Sequence, residues 1–388
     1  MKTMTEKLYY TDSHMRAFTA VVTGCEETKK GWAVTLDRTA FFPEGGGQLA
    51  DTGMIGPARV LDVHEKEGEI RHYTDAPLEP GTVVDCAIDW EQRYRRMQNH
   101  SGEHIVSGVT HKLHGLNNVG FHMGEKNLTV DFDGELSWDE LMHIETLANE
   151  AVRANVPITA TFPPPEALAA LDYRSKLELT ENVRIVEIEG IDLCACCAPH
   201  VSRTGEIGLI KLLDVQRHRG GVRVSLICGM DAVEEVRLRQ EEVTAVSRLL
   251  SAKRDEVPQA VERLLLSQER QKERLASLSL RAVGLMAASF APKEGNICVF
   301  DDVLDEVALR ELVNMLADKC SGLAAVFSGS DAEGYRYIIG SKHIDLRKNA
   351  KSLNTGIGGK GGGAPTMIQG RAEKSAAEIE QFIKDFNV

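Results

Sequence analysis

Hydrophobic and polar positions change their pattern several times along the chain, and each change predicts a different kind of element. Up to about residue 88 the apolar residues come in short β-branched runs broken by Gly, Pro and Asn/Asp turns. "FTAVVTGCEE", "GWAVTLDRTAFF", "ARVLDVHEKEGEIRHYT" and "TVVDCAIDW" all read as strands. Several such strands at close spacing predict a small barrel or sandwich. From about 90 to 115, "WEQRYRRMQNHSGEHIVSGVTHKLHG" carries Met97, His104, Ile105 and Val109 near helical spacing, and Gly115 can end the helix. "NLTVDFDGEL" then predicts a strand. "SWDELMHIETLANEAVRANV" predicts a helix capped by Ser137, with Glu140 three residues on. Strands return in "PITATFP", "VRIVEIEG", "IGLIKLLDV" and "GVRVSLICG", which makes this second domain α+β.

From 231 to about 286 the chain turns helical and highly charged. Pro258 fits the first turn of a second helix, where its missing N–H costs little. Val257, Val261, Leu264, Gln268, Gln271, Leu275 and Leu278 alternate steps of four and three, a narrow seam with polar interruptions. Two antiparallel helices forming an arm or a dimer contact fit this best. "NICVFDDV", "LRELVNMLADK", "GLAAVFSGSD" and "YRYIIGSKH" then alternate strand and helix, and "NTGIGGKGGGAPTMIQG" reads as a Gly-rich loop before a capped C-terminal helix. The expected fold class is therefore α+β in four parts. These are a small β-barrel over 1–88, an α+β domain over 89–230, a helical arm over 231–286 and a small α/β domain over 287–388.

A length of 388 residues suits two to four domains, and 43% apolar with 27% charged residues is ordinary for a soluble protein. The N-terminus has no apolar h-region and no run approaches the ~20 apolar residues of a membrane span, so no membrane association and a cytoplasmic location are expected. A net charge of −13 argues against a protein that coats nucleic acid, but the charge is uneven. Between Ser341 and Lys374, Lys342, Arg347, Lys348, Lys351, Lys360, Arg371 and Lys374 stand against Asp345 and Glu373, a net of +5. Between Ser202 and Arg223, Arg203, Lys211, Arg217, Arg219 and Arg223 stand against Glu206 and Asp214, a net of +3. Two basic patches on an acidic body fit selective docking of a polyanion, and each alone fits a solvated face equally.

Cys194, Cys196 and Cys197 crowd together while Cys25, Cys86, Cys228, Cys298 and Cys320 are scattered, which suggests metal binding or reactivity rather than disulfides. "QNHSGEH" places His100 and His104 four apart on the predicted helix, on one face. "CCAPH" places Cys196 and His200 four apart as well. A thiolate with imidazoles suits Zn²⁺ better than Mg²⁺ or Ca²⁺. Cys194 and Cys197 compete with Cys196 for the thiolate role, and spacing does not exclude them. The pattern is not H-E-x-x-H. Glu103 is a weak candidate for a base, placed by this reading off the two-histidine face.

"RTAFFPEGGGQLADTG", "NHSGEH" and "CCAPHVSRTGEIG", in this order, resemble the editing domain of alanyl-tRNA synthetases and, more closely, the free-standing alanyl-tRNA editing proteins of the AlaX family. The helical arm and "GGKGGGAPTMIQGRA" resemble the C-terminal domain shared by alanyl-tRNA synthetases and DHH-family phosphoesterases. Together these cover nearly the whole chain and point to the long AlaX form. The editing motifs begin within the first fifty residues, so the class II catalytic domain is expected to be missing. Two departures stand out. The family usually reads C-x-G-T-H where this chain has Ala198 and Pro199, and Pro199 lacks an N–H. Ala364-Pro365-Thr366 stands where synthetases commonly carry Arg-Pro-Asp.

The resemblance implies that His100, His104, Cys196 and His200 hold one zinc. It implies hydrolysis of the ester of tRNA(Ala) mischarged with serine or glycine. Thr39 would line the pocket that reads the serine hydroxyl, with Gln48 near the ester or the ribose, although Thr39 taken alone is an ordinary strand threonine. Gly45, Gly46 and Gly47 would either turn a hairpin or let the backbone approach the terminal adenosine. Lys342, Arg347, Lys348 and Lys351, with Gly358, Gly359, Lys360, Gly361, Gly362 and Gly363 as a phosphate-binding nest, would contact the tRNA backbone. The arm implies a homodimer. A DHH-type phosphoesterase does not fit, because no Asp-His-His occurs. The remaining alternative is a non-catalytic, zinc-stabilised tRNA-binding module.

Overall fold

A computed structural model describes residues 4–29, 31–124, 127–175 and 183–387. The chain divides into two compact units, one up to Val243 and one from Thr244, and its helices and strands are mixed in the α+β manner.

In the first unit the β-branched runs form β1 (Glu6–Lys7), β2 (Ala17–Thr28), β3 (Gly31–Leu36), β4 (Arg38–Thr39), β5 (Gly53–Ile55), β6 (Ala58–Lys66), β7 (Glu69–Thr74) and β8 (Val83–Ile88). Strands β2, β3, β7, β6, β5 and β8 close a barrel in that order, while β1 pairs with β4. The run "ARVLDVHEKEGEIRHYT" is two strands, not one. β6 and β7 turn at Glu67 and Gly68, whose φ values of 53° and 78° match a two-residue hairpin that follows the strand twist. Val34, Leu36, Phe41, Ile55, Val63 and Ile70 fill the interior.

One polar chain threads that interior. The Phe41 N–H donates to Thr39 Oγ1 (3.1 Å), Thr39 Oγ1 meets His72 Nε2 (2.8 Å), and His72 Nδ1 meets the Val34 carbonyl (3.0 Å). A carbonyl only accepts, so Nδ1 carries the proton and the Thr39 hydroxyl donates to Nε2. Burial pushes His72 down to about 4. Between that value and the ordinary ~6.5, the unfolded chain binds the proton and the folded one does not. Stability is therefore complete above pH ~6.5 and falls by about 3 kcal/mol as pH drops towards 4. Urea midpoints measured across this window should show the slope, and a His72→Gln protein should have lost most of it. An equal slope in both proteins would contradict the assignment.

Helix α1 (Trp90–His114) follows and ends at Gly115, whose φ of 69° is the left-handed cap that the sequence predicts. Next come β9 (Asn118–Met123), β10 (Leu128–Phe132) and α2 (Trp138–Ala154) with its Ser137–Glu140 capping box, then β11 (Ile158–Thr161) and α3 (Pro165–Leu168). β12 (Ile185–Ile188), β13 (Asp192–Ala195), β14 (Ile210–His218), β15 (Gly221–Cys228) and α4 (Met230–Leu249) complete the series. β14, β15, β10 and β9 make one antiparallel sheet, and β11, β12 and β13 another. Helices α1 and α2 bury Met97, Ile105, Leu141 and Ile144 against Val130, Phe132, Val224 and Leu226 of the larger sheet.

The second unit contains α5 (Val257–Ser289), β16 (Ile297–Phe300), α6 (Glu306–Ala317), β17 (Ala324–Ser330), β18 (Gly334–Gly340), α7 (Leu346–Ile357), β19 (Gly359–Ala364), β20 (Met367–Ala372) and α8 (Ala376–Asp385). Pro258 sits in the first turn of α5, and the seam residues Val261, Leu264, Leu275 and Leu278 are exposed. The expected glycine loop is corrected here. Gly358 (φ 64°) caps α7, and Gly359–Ala364 is an edge strand of the sheet β16-β17-β18-β20-β19. A Cβ on Gly361 or Gly363 would run into the carbonyls of Gln369 and Met367, whereas Gly362 faces open space. Close strand pairing, not an anion nest, thus accounts for two of these glycines. Among the described residues no helix is long and apolar enough to cross a membrane.

Candidate metal centre

The i, i+4 pair on α1 and the tight loop after β13 meet. One donor atom from each of His100, His104, Cys196 and His200 lies within 4.8 Å of every other. Cys196 Sγ stands 3.5 Å from His100 Nε2 and 3.4 Å from His200 Nε2. A tetrahedron with Zn–N of ~2.0–2.1 Å and Zn–S of ~2.3 Å has N···S edges of about 3.5 Å. The spacing is that of ligands around a shared ion.

Each histidine is turned by a partner on its far nitrogen. His100 Nδ1 contacts Gln48 Oε1 (2.9 Å), His104 Nδ1 contacts Asp192 Oδ2 (2.9 Å), and His200 Nδ1 contacts Ser101 Oγ (3.0 Å). With Nδ1–H donated outward, Nε2 keeps its lone pair for a metal. The Gln48 orientation follows from the same requirement, since its amide nitrogen on Nδ1 would force the ring proton onto Nε2. Gln48 Nε2 has no partner among the described residues.

Electrostatics separates the three crowded thiols. Burial acts to raise Cys196, but the imidazoles of His100 and His200 outweigh it and hold the thiol well below its ordinary 9.0. Burial pushes both Cys194 and Cys197 up to about 11, so only Cys196 of the three is held as a thiolate. Burial also lowers His200 to about 3, which keeps that imidazole neutral and available as a ligand. Cys194 instead joins His104 and Asp192 in a second close group. Arg174 occupies both oxygens of that Asp192 (2.7 and 2.8 Å), so the carboxylate is spent on an arginine and this group braces the first.

His100, His104 and Cys196 line a cavity of about 840 Å³, and His200 is buried behind them. Tyr10, Phe121 and Phe162 give it aromatic walls, and Arg174, Arg184 and Glu103 give it charge. Phe121 lies 4.7 Å from the His100 ring, centroid to centroid. Gly46 and Gly47, at φ 59° and 83°, turn the chain beside it, and a Cβ on Gly47 would stand 2.5 Å from the Phe121 ring. The departure at Ala198-Pro199 does not open the loop. Arg184 Nη1 donates to the Cys196 and Ala198 carbonyls (3.0 and 2.8 Å) and holds it closed.

These contacts correct the expected places of Thr39 and Glu103. Thr39 is not in the cavity wall; its hydroxyl is committed to His72 inside the barrel. Gln48 is fully buried, with its Oε1 against His100 Nδ1. Glu103 does line the cavity, because a residue three after His100 shares its helix face. Its Oε1 accepts from Ser107 Oγ and Asn118 Nδ2, both at 2.5 Å. In the second unit, Lys342, Arg347, Lys348, Lys351 and Lys360 are all exposed; Lys342 pairs with Asp318, and Lys348 lies 3.9 Å from Asp345. Asp192, Arg174, Ser101 and Arg184 were not foreseen. Only Asp192, two positions before the thiol cluster, left a trace in the sequence.

Comparison with known proteins agrees with this arrangement. The tRNA synthetases class II (A) family matches residues 1–92, which here are the barrel and the start of α1. The threonyl and alanyl tRNA synthetase second additional domain matches 183–224, and the DHHA1 domain matches 294–387. An "Alanyl-tRNA editing protein AlaX-L" of Pyrococcus horikoshii is 28% identical over 97% of this chain and 96% of its own length. These matches support an AlaX-type long-form editing protein. The chain is also 31% identical to an alanine–tRNA ligase of Ignicoccus hospitalis over 98% of this chain, and 33% identical to one of Halobacterium salinarum over 87%. It spans 42% and 38% of those two ligases.

Proposed function

We propose that this protein hydrolyses the aminoacyl ester of tRNA(Ala) mischarged with serine or glycine, at a site holding zinc between His100, His104, Cys196 and His200. The observation that carries the reading is the convergence of three outward-braced imidazoles and one thiolate, with His100, His104 and Cys196 opening onto a cavity sized for an aminoacyl-adenosine. When bound, zinc supplies Lewis acidity towards an ester carbonyl or a water. Tyr10, Phe121 and Phe162 offer faces on which a terminal base can stack. Gly46 and Gly47 keep the rim free of side chains.

A synthetase pocket built for alanine rejects glycine or serine by only ~1–3 kcal/mol, which leaves a need for hydrolysis after charging. A cavity that pairs with the serine hydroxyl refuses alanine, because alanine leaves a buried polar group unpaired. Gln48 enters this reading from behind the wall, through His100, while the Thr39 hydroxyl stays with His72 in the barrel. We further propose the four-part division at 88, 230 and 286. In it the exposed basic residues of 342–360 contact tRNA phosphates, the exposed seam of α5 pairs with a second copy, and the protein works in the cytoplasm.

Four protein donors are the usual mark of a structural site, and this favours the second reading, a zinc-stabilised tRNA-binding module without catalysis. Deacylation measured on Ser-, Gly- and Ala-tRNA(Ala) separates the two. We expect loss of Ser-tRNA(Ala) or Gly-tRNA(Ala) at least tenfold faster than of Ala-tRNA(Ala). Binding of all three without hydrolysis above the uncatalysed rate would establish the module instead.

A further inference from the structure

The three histidine braces are unequal. Gln48 and Ser101 are neutral, but the partner of His104 is a carboxylate that is itself gripped by a half-buried arginine. Arg174 donates through Nε to Asp192 Oδ1 (2.7 Å) and through Nη2 to Oδ2 (2.8 Å), the fork geometry that fixes a carboxylate plane. Asp192 Oδ2 is also the oxygen that meets His104 Nδ1 at 2.9 Å. Side-chain exposure is 2% for Asp192 and 3% for His104, so their contact is shielded from water, while Arg174, at 14%, borders the cavity. The helix is shaped to receive it. Gly108 lies one turn beyond His104, and a Cβ there would stand 2.8 Å from Asp192 Cβ and 2.7 Å from the Ile191 carbonyl. Any larger residue would push the β12–β13 turn off α1 and lengthen the His104–Asp192 contact. Arg174 belongs to none of the family motifs quoted above and sits on the segment after α3, far in sequence from both metal-ligand pairs.

We propose that Arg174 and Asp192 act together as a positioning pair for His104, so that the metal affinity of the site is set in part by Arg174. The pair rests on the metal reading given above and adds to it a dependence that the four ligands alone do not predict. Asp192 holds the imidazole with Nδ1–H outward and makes Nε2 a stronger donor. Arg174 holds the plane of Asp192. The two therefore act in series, and loss of either interrupts the same line of contacts.

The test is competition of the purified full-length protein against a chromophoric chelator for Zn²⁺ and for Co²⁺, with the Co²⁺ d–d absorption recorded. Asp192→Asn should weaken both metals about 10–100-fold, the usual cost of losing an outer partner of a ligand histidine. Arg174→Gln should weaken them about tenfold, and Arg174→Lys less, because a lysine keeps the charge but not the fork. The Asp192→Asn/Arg174→Gln double variant should be no weaker than Asp192→Asn by more than about twofold, since effects in series do not multiply. The Co²⁺ band should shift in the same order. Thermal melts of the metal-free proteins report folding, and if Asp192→Asn fails to fold, the Arg174 pair alone decides. Tight binding by the parent with Arg174→Gln within about twofold of it overturns the proposal, as does a double variant whose loss is the product of the single losses. A parent protein that binds neither metal overturns the metal reading itself, and the proposal with it.

Discussion

A Cys196→Ala protein should bind zinc at least about 10²-fold more weakly than its parent and deacylate Ser-tRNA(Ala) about 10³-fold more slowly. Removing Sγ takes away the only thiolate donor and leaves three imidazoles facing a gap. A lost Lewis acid is worth several kcal/mol of transition-state charge stabilisation, which is the origin of the 10³. The neighbouring thiols supply the control. Cys194 and Cys197 are both pushed up to about 11 by burial and so stay protonated, whereas Cys196 is held as thiolate by the histidines around it. Cys194→Ala and Cys197→Ala proteins should therefore keep metal within a few-fold of the parent. Metal content by mass spectrometry of the native protein, alongside single-turnover deacylation, reads both quantities. Loss of metal from Cys197→Ala but not from Cys196→Ala would move the ligand by one residue and undo the assignment.

Local physics made much of this molecule legible in the sequence. Helix α1 and its glycine stop, the Ser137 capping box and the two i, i+4 ligand pairs all depend on neighbours within one turn, and all lie where the spacing puts them. The misreadings have a common source as well. Whether "GGKGGGA" is a loop or a strand depends on β20, which offers it a partner across the two-residue turn at Pro365-Thr366. Whether the Thr39 hydroxyl is free depends on His72, 33 residues away on β7. The outer partners Gln48, Ser101, Asp192 and Arg174 come from four separate segments, and no periodicity links them. Glu103 is different: i+3 shares the face of i on any helix, so its place in the cavity was available from the sequence.

Replacing Arg93 with Met should cost about 3–5 kcal/mol of folding stability, the largest loss expected from any single change away from the metal site. Arg93 is fully buried, and its guanidinium gathers three segments that precede it in the chain. Nε donates to Asp51 Oδ2 (2.8 Å), Nη2 to the same carboxylate and to the Ala40 carbonyl (2.5 Å), and Nη1 to the Ser13 carbonyl (3.1 Å). Asp51 Oδ2 also accepts the Phe42 N–H (2.6 Å), so the ion pair is stitched into the barrel wall on one side and α1 on the other. Methionine fills similar volume but leaves Asp51 as a buried charge without its main partner and strands two carbonyls. Arg93→Lys should recover little, because one ammonium cannot serve three directions from a planar fork. The informative companion is Arg93→Met/Asp51→Leu. If the single loss is mainly the uncompensated carboxylate, removing that carboxylate should restore at least about 1 kcal/mol. Urea unfolding of the metal-free proteins measures both, and a double variant no more stable than the single one would show that the carbonyl contacts carry the cost. The damage should also reach the site. Ser13, whose carbonyl Arg93 holds, donates its hydroxyl to the His200 carbonyl (2.8 Å). A protein that has lost Arg93 yet folds at low temperature should therefore bind zinc more weakly, without any ligand having been touched.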